Sequence, residues 1–232
     1  MAKVMLIGTS HISKQSIDKV RKAIRYEAPD VVAVELDKQR YYALVSKPKK
    51  QSYFYSIRRV GLTGFLFALF GQWGSKKLGK ITGISPGSEM IAAIRLSKKS
   101  SIRVALIDQD INLTLFRLTR AIKVKDKVNF FVDIIRGIFQ GKKMAKELGL
   151  DKFNISNIPG QDVVVNIINY MKKRYPALYK VLIYERNLVL AKNIFILSNN
   201  FNRVVAVVGA GHVPGIKRLL EKKYGIDDIM VY

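Results

Sequence analysis

Two short stretches decide how this chain is read: LIGTSHIS at residues 6–13 and VVGAGHVP at residues 207–214. Each is an apolar run, then Gly-x-x-His, then the start of a helical pattern. An apolar run that stops at glycine reads as a buried strand leaving its sheet through a tight turn. The histidine after the turn then stands above the carboxyl edge of the sheet, where open α/β folds hold their ligands. The chain has two histidines, His11 and His212, and both occupy this frame. A single histidine here would be read as structural, but two of two in one frame point to a shared site. Imidazole serves near neutral pH both as a metal ligand and as a proton carrier. His11 and His212 are therefore expected to converge on one ion or water.

Working outward, Val4 to Ile7 is the first strand, and Ile17, Val20, Ala23 and Ile24 repeat at helical spacing. Pro29 and Asp30 end that helix, and Val31 to Leu36 is a second strand. Strand, helix, strand favours these two strands as a parallel pair with a right-handed crossover. Further strands are expected at Arg103 to Asp108, Arg203 to Val208 and Ile229 to Tyr232. Ser88 is placed to cap a helix running to about Lys98. Helices are also expected over roughly 161–174, 176–199 and 214–223, with Pro176 suited to a first helical turn. The expectation is an α/β fold with a central mixed or mostly parallel sheet flanked by helices. It forms a single domain over 1–232, with a helical insertion at about 40–83 and a helical region at about 110–200.

Two acids follow apolar runs at informative places. Glu35 ends the second strand, in VAVELD, where a carboxylate is costly to bury without a partner and can reach the face that carries His11. Glu89, in PGSEM, lies in the first turn of a helix, a position the helix dipole favours in any case. Glu185 and Arg186, in YERN, sit mid-helix, where an acid and a base are ordinarily a solvated face. GAGHVPG has the look of a degenerate dinucleotide loop. That fingerprint requires a following strand ending in an acid about 20 residues on, and none is present at that point. The sequence also has no P-loop, serine nucleophile elbow or HExxH helix.

Composition bounds the rest. Forty-one Lys and Arg against 17 Asp and Glu leave a net charge of +24, with 49% hydrophobic residues and no cysteine. Disulfides and thiolate zinc sites are excluded. The basic field attracts nucleic acid, anionic lipid and acidic substrates alike. No apolar run reaches the roughly 18 residues of a membrane span, and MAKVMLIG lacks the form of a signal peptide. The expected location is the cytoplasm or the inner face of the membrane. The basic, aromatic stretch Lys47 to Arg59, followed by LTGFLFALF, is expected to contact an anionic membrane surface. The apolar run is too short to span and too apolar to leave exposed, so a homodimer is expected as well. Nucleic acid is not favoured as a partner.

Several blocks fall in a recognisable order: GTSHIS, VAVELD, PGSEM, LIDQDI with Thr114 and Arg117, YERN with Leu190 and Ala191, and VVAVVGAGHVPGI. Each alone is weak. In this order, over nearly the whole chain, they resemble the TraB/PrgY family, which is similar by motif to the Tiki metalloproteases and the GumN proteins. A wider group includes erythromycin-esterase-like and ChaN-like folds. The resemblance implies a metal-dependent peptidase, with manganese or cobalt preferred to zinc, and a role in shutting down a peptide pheromone. It carries the paired GxxH motifs onto Gly8–His11 and Gly209–His212. The acidic blocks fall on Glu35 and Glu89, and the ERD-like block on Glu185 and Arg186. Many members have an acid where this chain has Asn187. Many also continue into a membrane-spanning region, so the sequence is expected to be either a piece or a short member.

The functional expectation is thus a hydrolase acting on a peptide. His11 and His212 would bind a divalent metal with Glu35 or Glu89. A remaining glutamate would serve as general base, and Arg186 would steady an oxyanion or the substrate carboxylate. The alternative is a non-catalytic module that sequesters a peptide in the same pocket.

Overall fold

KVMLIGT forms β1 (Lys3–Thr9), and all but its first residue are buried. In the computed structural model, the described residues are 2–10, 14–45, 58–61, 63–66, 68–69, 80, 85, 87–126, 128–129, 132–133, 136, 140, 146 and 161–232. α1 (Lys14–Glu27) follows, then β2 (Val31–Val34) and α2 (Lys38–Val45). α3 (Ser88–Lys99) leads into β3 (Arg103–Leu106), and α4 (Ile111–Ala121) comes next. α5 (Gln161–Arg174) and the short α6 (Pro176–Tyr179) precede a π-helical turn at Lys180–Tyr184. α7 (Glu185–Ser198), β4 (Arg203–Gly209), α8 (Val213–Tyr224) and β5 (Ile229–Val231) complete the order.

The five strands form one sheet, in the order β3-β2-β4-β1-β5, and each pairing is parallel. Strands buried on both faces explain the near-continuous apolar runs in the sequence. Successive residues point to opposite faces. Val4, Leu6, Val31, Ala33, Val204, Ala206 and Val208 pack against Leu190, Ala191 and Ile194 of α7 and Ile216 and Leu220 of α8. Met5, Ile7, Val32, Val34, Val205 and Val207 pack against Val20 and Ile24 of α1 and Met90, Ala93 and Ile94 of α3. Each fully buried Val, Leu, Ile or Met side chain contributes about 1.5–3 kcal/mol of transfer free energy.

Sequence and structure part company at three places. β1 and β2 are parallel but not neighbours, because β4 lies between them. β4 has six of its seven residues buried, so the interior of the sheet is where it hides the most apolar surface. Ser88 is the first residue of α3 rather than its cap. Gly87 holds the cap position at φ 84°, and the Ser88 hydroxyl donates to the Ser85 carbonyl at 2.5 Å. The helix expected over 176–199 is divided by the π turn, where the Glu185 N–H reaches back to the Lys180 carbonyl.

Much of the expected 40–83 insertion, including residues 47–57, lies outside the described residues. Part of LTGFLFALF is described and rests on α4. The Gly64 N–H donates to Thr119 Oγ1 at 2.8 Å, while that hydroxyl donates to the Val60 carbonyl at 2.7 Å. Leu66 nevertheless remains exposed. No helix among the described residues is long and apolar enough to cross a membrane.

Candidate active site

The strand order brings three strand ends side by side. Thr9 pairs with Gly209, and the Glu35 N–H donates to the Val207 carbonyl at 3.0 Å, so Glu35 extends the β2–β4 ladder by one residue. The two Gly-x-x-His turns thus leave adjacent strands, and the Ala210 N–H bonds the Thr9 carbonyl at 2.9 Å. His11 itself lies outside the described residues. The turn before it is held by buried Ser16, whose hydroxyl accepts from the Ser10 N–H at 2.9 Å and donates to the Ser10 carbonyl at 3.0 Å.

Glu35 is 3% exposed. Its position two after Ala33 turns it toward the face covered by α7 and α8. There its Oε2 accepts the Gly209 N–H at 2.6 Å, and its Oε1 accepts from Arg186 Nη2. Arg186 also donates through Nε to Asp108 Oδ1 at 3.3 Å, through Nη2 to Asp108 Oδ2 at 2.5 Å, and through Nη1 to the Leu182 carbonyl at 3.3 Å. Asp108 lies two residues past β3, as Glu35 lies one past β2, and its side chain is 1% exposed. Burial works against the Arg186 charge, but Glu35 and Asp108 outweigh it and hold the guanidinium above its ordinary range.

The chain of charge continues. Arg40 pairs with Asp108, and its Nε meets Asp37 Oδ2 at 2.8 Å. Asp37 Oδ1 caps α2 by accepting from the Gln39 and Arg40 N–H groups. Three carboxylates and two guanidiniums leave this connected group with one formal negative charge.

His212 approaches the same Glu35 oxygen that accepts from Arg186. It is buried at the start of α8, with Nε2 3.5 Å from Glu35 Oε1 and Nδ1 2.7 Å from Asn187 Oδ1. A carbonyl oxygen cannot donate, so with Asn187 in this orientation Nδ1 carries a proton, and Nε2 faces Glu35. Gly215 makes that contact possible, since a Cβ there would sit 2.1 Å from Asn187 Nδ2.

The remaining candidates separate. Glu89 is 1% exposed in the first turn of α3. Glu185 does not join the Arg186 group and instead pairs with Arg117 at 3.2 Å. The residue reading did not single out Asp108, Arg40 or the role of Asn187. Asp108 carries the same signal as Glu35, an acid closing an apolar strand. The Asn187 contact leaves no local signal.

A divalent ion needs several donors within about 2.0–2.2 Å. Among the described residues no three His, Cys, Asp or Glu side chains gather in that way. The Glu35 Oε1 and His212 Nε2 pair supplies two donors of suitable chemistry, next to the turn that leads to His11.

A parallel sheet with buried carboxylate, guanidinium and imidazole groups at its carboxyl edge defines an α/β protein with a polar site over the strand ends. The family comparison is specific. The TraB/PrgY/gumN family model matches residues 2–224, and the chain belongs to that family. It is 38% identical over 231 residues to an uncharacterized protein of Methanocaldococcus jannaschii, covering 97% of this chain and 55% of that one. It is 26% identical over 261 residues to a TraB domain-containing protein of Mus musculus, covering 99% of this chain and 65% of the mouse protein. A human TraB domain-containing protein matches at the same identity. The chain therefore spans less than two thirds of the length of these relatives.

Proposed function

We propose that this chain is a metal-dependent hydrolase acting on a peptide, with His212, Glu35 and His11 as the metal donors. The observation that carries the reading is the buried pair of Glu35 Oε1 and His212 Nε2, 3.5 Å apart, with His212 Nδ1 held by Asn187. A bound manganese, cobalt or zinc ion would polarise a peptide carbonyl and acidify a water. The protein's own part is to hold the donors ready. Asn187 fixes the tautomer that leaves Nε2 available, and the Gly209 N–H fixes the second Glu35 oxygen. All three Arg186 nitrogens already donate to acceptors, so in this reading Arg186 orients Glu35 and Asp108 instead of meeting an oxyanion. Glu89 remains the candidate general base.

The test is metal content of the purified protein and thermal shift with manganese, cobalt and zinc, alongside mass spectrometry of a peptide pool. His11→Ala and His212→Ala should each abolish metal-dependent stabilisation and peptide cleavage. Wild-type protein that neither retains nor responds to any of these metals sinks the reading. Peptides bound intact in the presence of metal would favour a sequestering module.

A further inference from the structure

A groove of about 520 Å³ runs along the outer seam between α1 and α3, within the roughly 300–1,000 Å³ typical of ligand pockets. α3 ends at Lys99 and β3 begins at Arg103, so α3 runs against the strands and its first turn lies at the sheet's carboxyl edge. The groove's end at that edge holds the apolar side chains of Ile17 of α1, Ile91 of α3 and Leu44 of α2, with the turn that carries Ser85 and Ser88 beside them. Its far end is basic, lined by Arg21, Arg95 and Lys99, and no acidic side chain lines it among the described residues. Ile91, Arg95 and Lys99 recur every four residues and so share one face of α3. From Ile91 to Lys99 is about 12 Å along the helix.

Local needs do not account for this arrangement. Lys99, in the last turn of α3, is favoured by the helix dipole. Arg95 and Arg21 are not in last turns, yet they converge across the seam. Arg21 approaches Asp18 at 3.8 Å with both side chains more than half exposed, a contact of little strength.

We propose that this groove binds an extended peptide segment that carries an apolar residue followed by carboxylates. An extended chain advances about 3.3 Å per residue, so the carboxylates should lie about three to four residues beyond the apolar side chain. The inference rests on the reading that the site acts on peptides, and it adds the substrate class: acidic segments with an apolar anchor.

The experiment is fluorescence anisotropy with a labelled octapeptide that places a leucine three and four residues from two glutamates. Controls are the same peptide with lysine for glutamate, and with serine for leucine. The Arg95→Glu/Lys99→Glu variant is compared with Arg218→Glu/Lys222→Glu, two exposed bases on α8 that give the same change in net charge. The acidic peptide should bind best, and the groove pair should weaken it at least tenfold while the α8 pair changes it less than twofold. Equal losses from both pairs would mean the overall basic field acts alone, and would overturn the proposal. So would a groove pair that loses flotation with anionic phosphatidylglycerol vesicles but keeps the peptide. Binding requires no turnover. Intact groove binding without cleavage would sink the hydrolase reading alone, and metal-dependent cleavage without groove binding would sink this proposal alone.

Discussion

Asn187 Oδ1 lies 2.7 Å from His212 Nδ1, with both residues 4% exposed and Gly215 leaving the space that Asn187 fills. A buried imidazole held in this way has one tautomer, because the amide oxygen can only accept. The two-histidine sequence makes this measurable, since nitrogen NMR of the imidazoles shows two spin systems. His212 should appear as the Nδ1–H form. Gly215→Ala places a methyl group against Asn187 Nδ2 and should give a tautomer mixture at His212. Overpacking of this kind costs about 1–3 kcal/mol. An unchanged His212 spectrum in Gly215→Ala would contradict the assignment.

Arg186 bridges Glu35 and Asp108 inside the protein. Removing one partner from a buried ionic group leaves uncompensated charge and costs about 3–5 kcal/mol. Arg186→Gln should lose stability in that range in urea denaturation. Arg186→Lys should recover little, because an ammonium cannot reproduce the planar fork between two carboxylates. A loss below about 1 kcal/mol for Arg186→Gln would show that the carboxylates are otherwise satisfied.

Away from the site, Asp133 accepts from Arg174 Nε and Nη2 and from the hydroxyls of Tyr170 and Tyr175. Hydrogen bonding from Arg174 is the largest influence; burial opposes it, and the two tyrosines add to it. Together they lower the Asp133 pKa from 3.8 to about 2. Because the folded value is depressed, this contribution is fully present above the unfolded pKa and disappears as pH falls toward about 2. It amounts to at most about 2 kcal/mol, less where solvent screens the pair. Asp133→Asn should therefore lower stability near pH 6 and flatten its dependence between about pH 4 and 2. A variant whose acid-denaturation profile parallels the wild type at all pH values would rule this out.

Ser16 provides a test of the first turn. Its hydroxyl both accepts from and donates to the Ser10 backbone, fully buried. Ser16→Ala takes this partner from the part-buried Ser10 N–H and carbonyl, with a cost of up to about 1–3 kcal/mol. Its NMR signature should be confined to the His11 imidazole, with His212 unmoved. Equal perturbation of both rings would mean that the substitution disturbs the whole sheet.

Much of the site was legible where an acid closes an apolar strand. Glu35 was found by that signal, and Asp108 shows the same pattern in LIDQDI without having been singled out. Arg186 was the harder case, because a mid-helix arginine looks solvated until the preceding π turn and the covering helix are known. Its neighbour Glu185, read in the same phrase, points instead to Arg117. Adjacent helical residues point in different directions, so one motif can divide between a buried cluster and a surface pair.

By itself, the sequence determined the strands and the frame in which a histidine comes shortly after β1 and after β4. These are local properties, set by apolar periodicity over a few residues, while Gly8 and Gly209 proved to be strand residues without positive φ, Gly8 lying close against Val213. The tertiary structure alone decided that β4 lies between β1 and β2, setting Gly209 beside both Thr9 and Glu35. Strand order depends on which arrangement buries most apolar surface on both faces of the sheet, a sum over residues far apart in the chain. The same long-range packing set α7 over the face that Glu35 points to, and so brought together Arg186, Asn187 and His212.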